Sequence, residues 1–430
     1  MIKTKINSWG KTKEVICSWC QLNFSSDNFK IVPCSLPVGL LRSYGDSSLP
    51  LENQVAYSTL AMNRIISFDR ELGIFEAEAG ISFDEILQII VPSGWFLPVT
   101  PGTKFITLGG AIANDIHGKN HHQDGTFGHF ISELTLLTST GEKFICHKNQ
   151  NAELFYATIG GLGLTGIILS AKFNLKKIQS SQIEGETIKF SSLKEFIQLN
   201  HESKDYLYTV AWLDCLSKSP RGIYIRGNHS TSSQSLTAHR TKNKIAIPFN
   251  FPNFALNNFT IKIFNFLYFH KQIVKRKKFE SHYDPFFYPL DSILKWNHIY
   301  GKRGFYQYQC VLPMDKISEF EKMLQLIAES GLGSFLSVLK TFGPIPSLGK
   351  ISFPSEGFTI ALDFANTGKN LEELFRKLNH IVIESKGRIY PAKDFNMNEA
   401  EFKTYYPQFN EFQKYKDQNL VSGFSKRVNL

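Results

Sequence analysis

Three observations on the sequence predict an α+β protein of two domains. Its 430 residues exceed the size of one ordinary hydrophobic core, so two domains are expected. Three glycine-rich turns, each next to a predicted strand or helix, lie before about residue 180. From there to about residue 385 the chain alternates predicted strands with two helices and has no comparable glycine cluster. The change in composition near residue 180 therefore marks the predicted boundary between the domains.

Composition and charge narrow the class of protein. Apolar residues make up 42% and charged residues 20% of the chain, as in a soluble globular protein. No run of roughly 18 apolar residues predicts a membrane span, and the start of the chain does not resemble a secretory leader. We therefore expect a cytoplasmic or membrane-peripheral protein, with a periplasmic location left open. The net charge of +10 favours anionic partners, which include phosphate ligands, nucleic acid and an anionic membrane.

The longest glycine-rich turn, residues 98–128, reads PVTPGTKFITLGGAIANDIHGKNHHQDGTFG. Glycine lets a backbone approach a ligand closely, and successive bare N–H groups in turns form a concave nest for anions. Polar residues between the glycines, such as Thr107, Asn114 and His117, can reach a second, non-phosphate part of the same ligand. We interpret this stretch as one wall of a site for a large phosphorylated cofactor. A glycine-rich connection between strands, without a ligand, is the alternative.

Two further turns have a similar character. Residues 37–47 predict another phosphate-binding loop, which comes first along the chain. A surface turn is the alternative. Residues 160–168 run from a glycine-rich turn into a strand. Between the first loop and the central one, a strand at 75–79 precedes a helix in which Ser82 and Glu85 have the spacing of a capping box.

The second half predicts a sheet with a polar face. Residues 306–309 and 337–343 alternate in strand fashion, which places their polar groups on one side. Residues 371–394 predict a helix that stops at a glycine, followed by a short strand presenting Tyr390 and Lys393.

Residues 245–280, the aromatic-basic segment, have an unusual composition. Five cations lie between Lys271 and Lys278. Seven phenylalanines precede them: Phe249, Phe251, Phe254, Phe259, Phe264, Phe266 and Phe269. We expect a mobile, loop-like segment that docks peripherally on an anionic membrane, where aromatic rings and cations suit the interface. The alternative is that the phenylalanines complete a core and the lysines form a solvated face.

The three turns, in this order, resemble the flavin domain of the vanillyl-alcohol-oxidase superfamily. The resembling blocks span nearly the whole chain: LLRSYGD, PGTKFITLGGAIANDIHGKNHHQDGTFG, AELFYATIGGLGLTGII, FYPLD-x-x-x-x-W-N, GFYQYQ, SFLSVLKTFGP and GRIYPAKD. The resemblance implies a two-domain PCMH-type FAD-binding fold. Residues 1–178, completed by 388–430, would bind FAD, and residues 179–387 would form a substrate domain on an antiparallel sheet flanked by helices.

The resemblance also assigns residues to the site. Active-site positions are implied for Lys393, His117, Tyr44, Gln309 and Lys340. FAD contacts are implied for Pro37, Gly39, Leu40, Leu41, Arg42, Ser43, Tyr44, Gly45, Asp46, Gly102, Thr103, Thr107, Leu108, Gly109, Gly110, Ala113, Asn114, Ile116, His117, Gly118, Lys119, Asn120, Ile168 and Tyr390. Arg42 stands where many members have a histidine linked to FAD, which implies non-covalent FAD. Ala361 stands where some members have a substrate-facing cysteine, so the shape and thiol reactivity of this pocket are in question.

Oxidation of a secondary alcohol requires hydride transfer to the flavin and loss of the hydroxyl proton. Lys393 is our candidate for the cation that stabilises the anionic reduced flavin, and a lysine of depressed pKa also acts as a base. We expect Lys340 and Gln309 to hold sugar hydroxyls or the substrate phosphate, and His117 to orient the sugar or relay the proton. The alternative for a lysine late in the chain is a solvated face.

Three histidines, His117, His121 and His122, have an H-x-x-x-H-H spacing that could bring imidazoles together on a metal ion. Bound metal needs convergent ligands held by further hydrogen-bond partners. No carboxylate–histidine pairing signature accompanies these residues, so no metal is predicted.

Within the superfamily, the blocks are similar to the branch that oxidises the 2′-hydroxyl of a polyprenylphosphoryl-β-D-ribose to a 2′-keto intermediate. That reaction is the first half of an epimerisation in cell-wall arabinose biosynthesis. The resemblance implies a lipid-linked sugar substrate, an NAD(P)-dependent reductase partner and no nucleic acid. One alternative is an oxidase of a soluble sugar or sugar-1,4-lactone, such as D-arabinono-1,4-lactone, which would have no use for the aromatic-basic segment. Another is a non-catalytic anion- or nucleic-acid-binding protein, suggested by charge alone.

Overall fold

A computed structural model of the chain describes residues 2–25, 29–239, 245–252 and 255–430. Within these ranges the strands are β1 Ile2–Asn7, β2 Glu14–Gln21, β3 Leu36–Val38, β4 Val55–Ser58, β5 Ile65–Asp69, β6 Ile74–Glu78, β7 Trp95–Phe96, β8 Ile131–Leu137, β9 Lys143–Cys146, β10 Ile167–Asn174, β11 Lys176–Lys177, β12 Gln182–Phe190, β13 Tyr208–Leu213, β14 Gly222–His229, β15 Ile245–Ala246, β16 Arg276–His282, β17 Ile293–Leu294, β18 Phe305–Leu312, β19 Ser337–Phe342, β20 Gly357–Ala365 and β21 Arg388–Ile389. The helices are α1 Phe83–Ile90, α2 Leu108–Ala113, α3 His121–Asp124, α4 Ala152–Thr158, α5 Leu193–His201, α6 Asn258–His270, α7 Tyr283–Phe287, α8 Ile317–Ser330, α9 Lys369–Glu384, α10 Glu399–Tyr405, α11 Phe409–Gln413 and α12 Gly423–Arg427.

The strands form three larger sheets. The first has four strands in the order β1-β2-β4-β3, and the second has five in the order β5-β6-β10-β8-β9. The third has eight antiparallel strands in the order β16-β12-β14-β13-β19-β20-β18-β21. Apolar residues of α5, α8 and α9 pack against this last sheet. The arrangement confirms the predicted α+β fold with an antiparallel sheet flanked by helices.

Helix α1 positions the central glycine-rich turn. Its capping box is present: Ser82 Oγ accepts from the Glu85 backbone, and the Glu85 carboxylate accepts from the Ser82 N–H. An N-cap of this kind stabilises a helix by about 1 kcal/mol. The buried face of α1 packs in a hydrophobic core together with residues of β6. The N–H groups of Leu108 and Gly109 then bond to carbonyl oxygens of the turn at 79–81, which fixes the start of α2.

Alternation along three neighbouring strands produces the predicted polar face. On β18, Gln307 pairs with Asp363 of β20, and Gln309 pairs with Ala361. Residues two apart in a strand point to the same side of the sheet. Lys340 of the adjacent β19 completes the set on the side that faces the glycine-rich turns.

The aromatic-basic segment differs from the sequence prediction. Residues 258–270 form helix α6 rather than a loop, so the count of two helices in the second half was wrong. The basic residues that follow enter β16, an edge strand of the eight-stranded sheet. Phe254 lies outside the described residues, and the mobility of the segment stays a prediction. None of the helices in the described ranges combines the length and apolarity that a bilayer crossing needs.

The C-terminal residues return to the first half of the chain. Leu420 forms a bridge with Ser35, and Arg427 forms ion pairs with Asp46 and Asp394. These contacts favour completion of the first domain by 388–430, although the domain boundaries stay a prediction. Strand β21 ends at Ile389, so the predicted strand residues Tyr390 and Lys393 follow it rather than lie on it.

Candidate active site and cofactor cavity

A cavity of about 370 Å³ lies between the glycine-rich turns and the polar face of the eight-stranded sheet. All five predicted active-site residues line it: Lys393, His117, Tyr44, Gln309 and Lys340. The predicted FAD contacts that line it are Pro37, Gly39, Leu40, Leu41, Arg42, Ser43, Tyr44, Gly102, Thr103, Thr107, Gly109, Gly110, Ala113, Asn114, Ile116, His117, Gly118, Lys119, Ile168 and Tyr390. The fold therefore brings residues from both ends of the chain to one cavity.

The first phosphate-binding loop presents unsatisfied polar groups to this cavity. Within the described ranges, the N–H groups of residues 39–42 donate to no acceptor, and Leu41 has a left-handed φ of 52°. Alternation of backbone hand in such a turn makes a concave anion nest. Arg42 Nε, Ser47 Oγ and Ser48 Oγ are buried and have no hydrogen-bond partner in the described part of the chain. Because buried polar groups without partners are costly, this wall fits the phosphate oxygens of a ligand.

The second phosphate-binding loop lies in the glycine-rich turn at 98–128. It shapes the cavity more than it supplies hydrogen-bond donors. Thr107 is the N-cap of helix α2, and its Oγ1 accepts from the Gly110 N–H at 3.1 Å. The N–H groups of Leu108 and Gly109 are not free for a ligand, because they bond to carbonyl oxygens of the turn at 79–81. A Cβ at Gly110 would meet only Thr107 Oγ1, at 3.0 Å, and a Cβ at Gly102 would meet no atom within 4 Å. Both positions are open toward the space that a ligand needs.

We predict that Gly110→Val lowers FAD occupancy several-fold while the chain still folds. The position has a helical backbone rather than a positive φ, so the valine meets no strain of the kind that a left-handed backbone imposes. The added side chain would instead fill the cavity. Flavin absorbance per protein and far-UV circular dichroism measure the two effects. Ala400→Val, an exposed position of α10, is the matched control, and normal flavin content in folded Gly110→Val would contradict the prediction.

Four predicted FAD contacts do not line the cavity. Asp46 pairs with an arginine of α12, and the side-chain amide of Asn120 donates to a backbone carbonyl at 2.7 Å. Leu108 packs in the core, and Gly45 lies against the backbone of the C-terminal segment, where a Cβ would not fit. These residues shape the loops, and their direct contact with FAD stays a prediction.

His117 is the centre of a buried polar chain. Its Nδ1 lies 3.1 Å from Lys340 Nζ, and its Nε2 lies 3.0 Å from Gln309 Nε2. Burial and the nearby Lys340 hold the pKa of His117 well below its usual value, so the ring is neutral. A neutral imidazole accepts at one nitrogen and donates at the other. With Gln309 donating to Nε2, the Nδ1–H faces the Lys340 amine, which accepts this hydrogen bond when the amine is neutral.

Three lysines crowd this end of the cavity. Burial, together with the charges of Lys119 and Lys393, lowers the pKa of Lys340 to about 7. Burial also lowers the pKa of Lys119 to about 8. An anionic ligand would offset the cost of these buried charges and restore the protonated forms.

Lys393 lies against Tyr44 and faces a buried carboxylate. Its Nζ is 3.9 Å from the centroid of the Tyr44 ring. Asp363 is fully buried, and its Oδ1 accepts from Gln307 while its Oδ2 has no partner in the described ranges. Burial lowers the pKa of Lys393, which the charge of Asp363 opposes, and burial raises the pKa of Asp363. Such a pair can take up or release a proton near neutral pH.

Sequence reasoning missed several residues of the cavity wall. Asp291 accepts from the Thr103 hydroxyl at 2.7 Å and thereby ties a turn of the second half to the central loop. Asp291 and Trp296 belong to the FYPLD-x-x-x-x-W-N block, to which no role was assigned. Gln307 lies two residues before Gln309 on β18, so the same alternation that placed Gln309 could have identified it.

The adjacent histidines are held by different partners. His121 Nδ1 accepts from the Gly343 N–H at 3.2 Å, whereas His122 Nε2 lies 2.8 Å from the carbonyl oxygen of Tyr206. Within the described ranges, no three His, Cys, Asp or Glu side chains are grouped to hold a metal ion. The local geometry thus gives no support to the metal alternative for these side chains.

Comparison with known proteins identifies the cofactor. Residues 34–147 match the FAD binding domain family. Decaprenylphosphoryl-beta-D-ribose oxidase of Mycolicibacterium smegmatis is 34% identical over 411 residues, which cover 91% of this chain and 88% of that protein. An uncharacterised protein of Streptomyces coelicolor is 25% identical over 354 residues, 78% of this chain and 94% of that protein. L-Gulonolactone oxidase of Scyliorhinus torazame is 31% identical over 109 residues, 25% of this chain and 24% of that protein.

FAD is the cofactor, and the cavity fits it on chemical grounds. The matched region contains both phosphate-binding loops. The open N–H groups of residues 39–42 and the unpartnered buried atoms of Arg42, Ser47 and Ser48 suit its pyrophosphate. The open space beside Gly102 and Gly110 leaves room for the rest of the group.

Proposed function

Because the chain belongs to the decaprenylphosphoryl-β-D-ribose oxidase family, we propose that it is an FAD-dependent oxidoreductase that oxidises the 2′-hydroxyl of a polyprenylphosphoryl-β-D-ribose. The product would be the 2′-keto intermediate, the first half of epimerisation to the arabinose form. The observation that carries the proposal is the cluster of Lys393, Lys340, His117 and Gln309 in the cavity whose other wall fits the phosphates of FAD. This cluster combines proton acceptors with hydrogen-bonding groups suited to a sugar phosphate.

Lys393 is the proposed acceptor of the hydroxyl proton. The chemistry that FAD would supply when bound is acceptance of the C2′ hydrogen with its electron pair, as a hydride. The chain itself must remove the proton from the 2′-oxygen, and a lysine of lowered pKa does so in its neutral form. The O–H bond breaks and an N–H bond forms at Nζ. The resulting ammonium is held near Asp363 and supplies a fixed positive charge to the site.

The remaining polar groups orient the substrate. Lys340 and Lys119 supply positive charge for the substrate phosphate, and Gln309 and His117 supply hydrogen bonds for sugar hydroxyls. The rigid sheet holds these side chains in place, which reduces the ordering cost of binding. Ala361 lines the same wall, which therefore has no thiol at this position.

The decisive experiment is anaerobic mixing of the purified flavoprotein with a polyprenylphosphoryl ribose, with flavin bleaching as the readout. We expect bleaching with the ribose compound and formation of its 2′-keto product. D-Arabinono-1,4-lactone is the comparison substrate, since the similarity to a lactone oxidase extends over only 25% of this chain. Bleaching by the lactone alone would replace the proposal with the soluble-sugar alternative.

We predict that acid or heat denaturation releases all of the FAD. The first loop has no histidine, and the Arg42 guanidinium stacks on the Trp9 ring with its carbon 3.9 Å from the ring centroid. A guanidinium does not form the covalent link that a histidine makes. Flavin fluorescence is measured in the supernatant and in the pellet, and flavin that stays with the precipitated chain would disprove non-covalent binding.

Two partners follow from the proposed reaction. An NAD(P)-dependent reductase would return the 2′-keto compound to the alcohol of opposite configuration and complete the epimerisation. A polyprenyl tail would keep the substrate in a bilayer, so we also propose peripheral contact between this protein and a membrane. Reconstitution of both half-reactions, with the arabinose product as readout, tests the reductase.

A further inference from the structure

The exposed side of helix α6 is apolar. Its buried residues, Ile261, Asn265 and Phe269, form one stripe toward the protein. The opposite side and the following turn form the α6 patch, with exposed fractions of 72% for Phe259, 44% for Ile263, 42% for Phe264, 54% for Phe266, 61% for Leu267, 92% for Ile273 and 55% for Val274. A helix on a protein surface ordinarily carries polar residues on its outer face. An exposed apolar surface of this kind marks an interaction site.

Cations surround the α6 patch. Residues 258–280 contain Lys262, Lys271, Lys275, Arg276, Lys277 and Lys278 but only one carboxylate, Glu280. Lys275 pairs with Glu195, and Arg276 lies within ion-pair distance of Glu186 and Glu202. Lys262, Lys277 and Lys278 are exposed and form no ion pair in the described part of the chain. Unneutralised positive charge therefore lies next to exposed apolar side chains.

The α6 patch continues to the wall of the active-site cavity. The Phe264 and Phe335 rings are 5.6 Å apart, and Phe335 is followed by Leu336, which lines the cavity. On the same helix, the Tyr268 ring is 4.6 Å from that of Trp212 on β13. A surface bound to the α6 patch would therefore lie beside the site.

We propose that the α6 patch docks on an anionic phospholipid bilayer and holds the cavity at the membrane surface. Aromatic and aliphatic side chains enter the boundary of the acyl region, and the surrounding lysines contact anionic headgroups. Cations without carboxylate partners favour this occupant over a second copy of a chain whose net charge is +10. The inference rests on the proposed function for its purpose: a polyprenyl-linked sugar reaches the cavity while its tail stays in the bilayer.

Vesicle co-sedimentation of the complete flavoprotein tests the docking. The vesicles are phosphatidylcholine alone or with phosphatidylglycerol, each at low and high salt. We expect binding to the anionic vesicles at low salt, and a loss of roughly 30-fold in affinity for Lys277→Gln/Lys278→Gln, from two interfacial cations. Phe266→Ser/Leu267→Ser should lose roughly 100-fold. Lys322→Gln/Lys377→Gln, which changes exposed lysines of α8 and α9, should bind as the wild type does.

The same proteins are assayed with a short-chain, water-soluble polyprenylphosphoryl ribose, because that readout separates the two proposals. We expect the wild type and the α6-patch variants to oxidise it equally. If the protein oxidises this substrate but does not bind vesicles, the docking is overturned and the proposed function stands. The same conclusion follows if the protein binds vesicles and the α6-patch variants bind them equally well. Vesicle binding without oxidation would overturn the proposed function and leave the docking standing. If the protein does not bind vesicles but self-associates without lipid, and Phe266→Ser/Leu267→Ser abolishes this self-association, the α6 patch would instead bind a second copy of the chain.

Discussion

Lys393→Ala is expected to retain FAD and to lose about 10²–10³-fold in the rate of flavin reduction by substrate, the usual effect of removing one preorganised electrostatic group. The side chain lies in the cavity against Tyr44, and its charge interacts with the buried Asp363. Stopped-flow absorbance measures the rate, and the flavin spectrum reports cofactor content. A variant within about threefold of the wild type would show that Lys393 does not take part in the reaction.

Lys393→Arg separates the two functions assigned to this residue. Arginine keeps a positive charge at all accessible pH values but cannot accept the proton. If Lys393 is the proton acceptor, Lys393→Arg should be as slow as Lys393→Ala; if it acts only as a cation, much of the rate should return. Lys172→Ala is the control, since Lys172 forms an ion pair with Glu76 on the five-stranded sheet. Its rate should equal that of the wild type.

The cofactor wall could be predicted because its chemistry is local. Glycine clusters, a capping box and polar residues at short spacing determine the shape of a loop within a few residues, and residues 37–47 and 98–128 contain them. The structure accordingly places Pro37, Arg42, His117 and most of the predicted contacts around one cavity. Sequence alone does not distinguish a glycine that needs a positive φ from one, such as Gly110, that leaves space.

The rest of the site depends on contacts between distant segments. Asp363 acquires its role from burial opposite Gln307 and from the approach of Lys393, which the C-terminal segment supplies. No pattern within β20 identifies that carboxylate. Helix α6 was missed for a different reason: both its faces are apolar, so the alternation of polar and apolar residues that reveals a surface helix is absent.

Lys340→Met is expected to reduce flavin reduction by about 10²-fold, because the substrate loses a cation and the His117–Gln309 chain loses its end. FAD content should stay normal, since the unpartnered atoms that fit the phosphates are on the opposite wall. Lys350→Met is the matched control. The Lys350 side chain is also mostly buried, with 15% exposed, but it pairs with Glu153 outside the cavity. Equal losses in both variants would indicate general damage to the fold.

The same substitution should stabilise the flavin-free protein, and the gain should depend on pH. Burial lowers the pKa of Lys340 from 10.5 to about 7, so between these values the unfolded chain binds more protons at this amine than the folded chain does. Wild-type stability therefore rises with pH across that window, whereas methionine has no proton to lose. The difference in Tm, Lys340→Met minus wild type, should be positive at pH 7 and below and should shrink toward zero as the pH approaches 10.5. Calorimetry of flavin-stripped proteins measures it, and a difference that grows with pH would show that folding does not lower the pKa of Lys340.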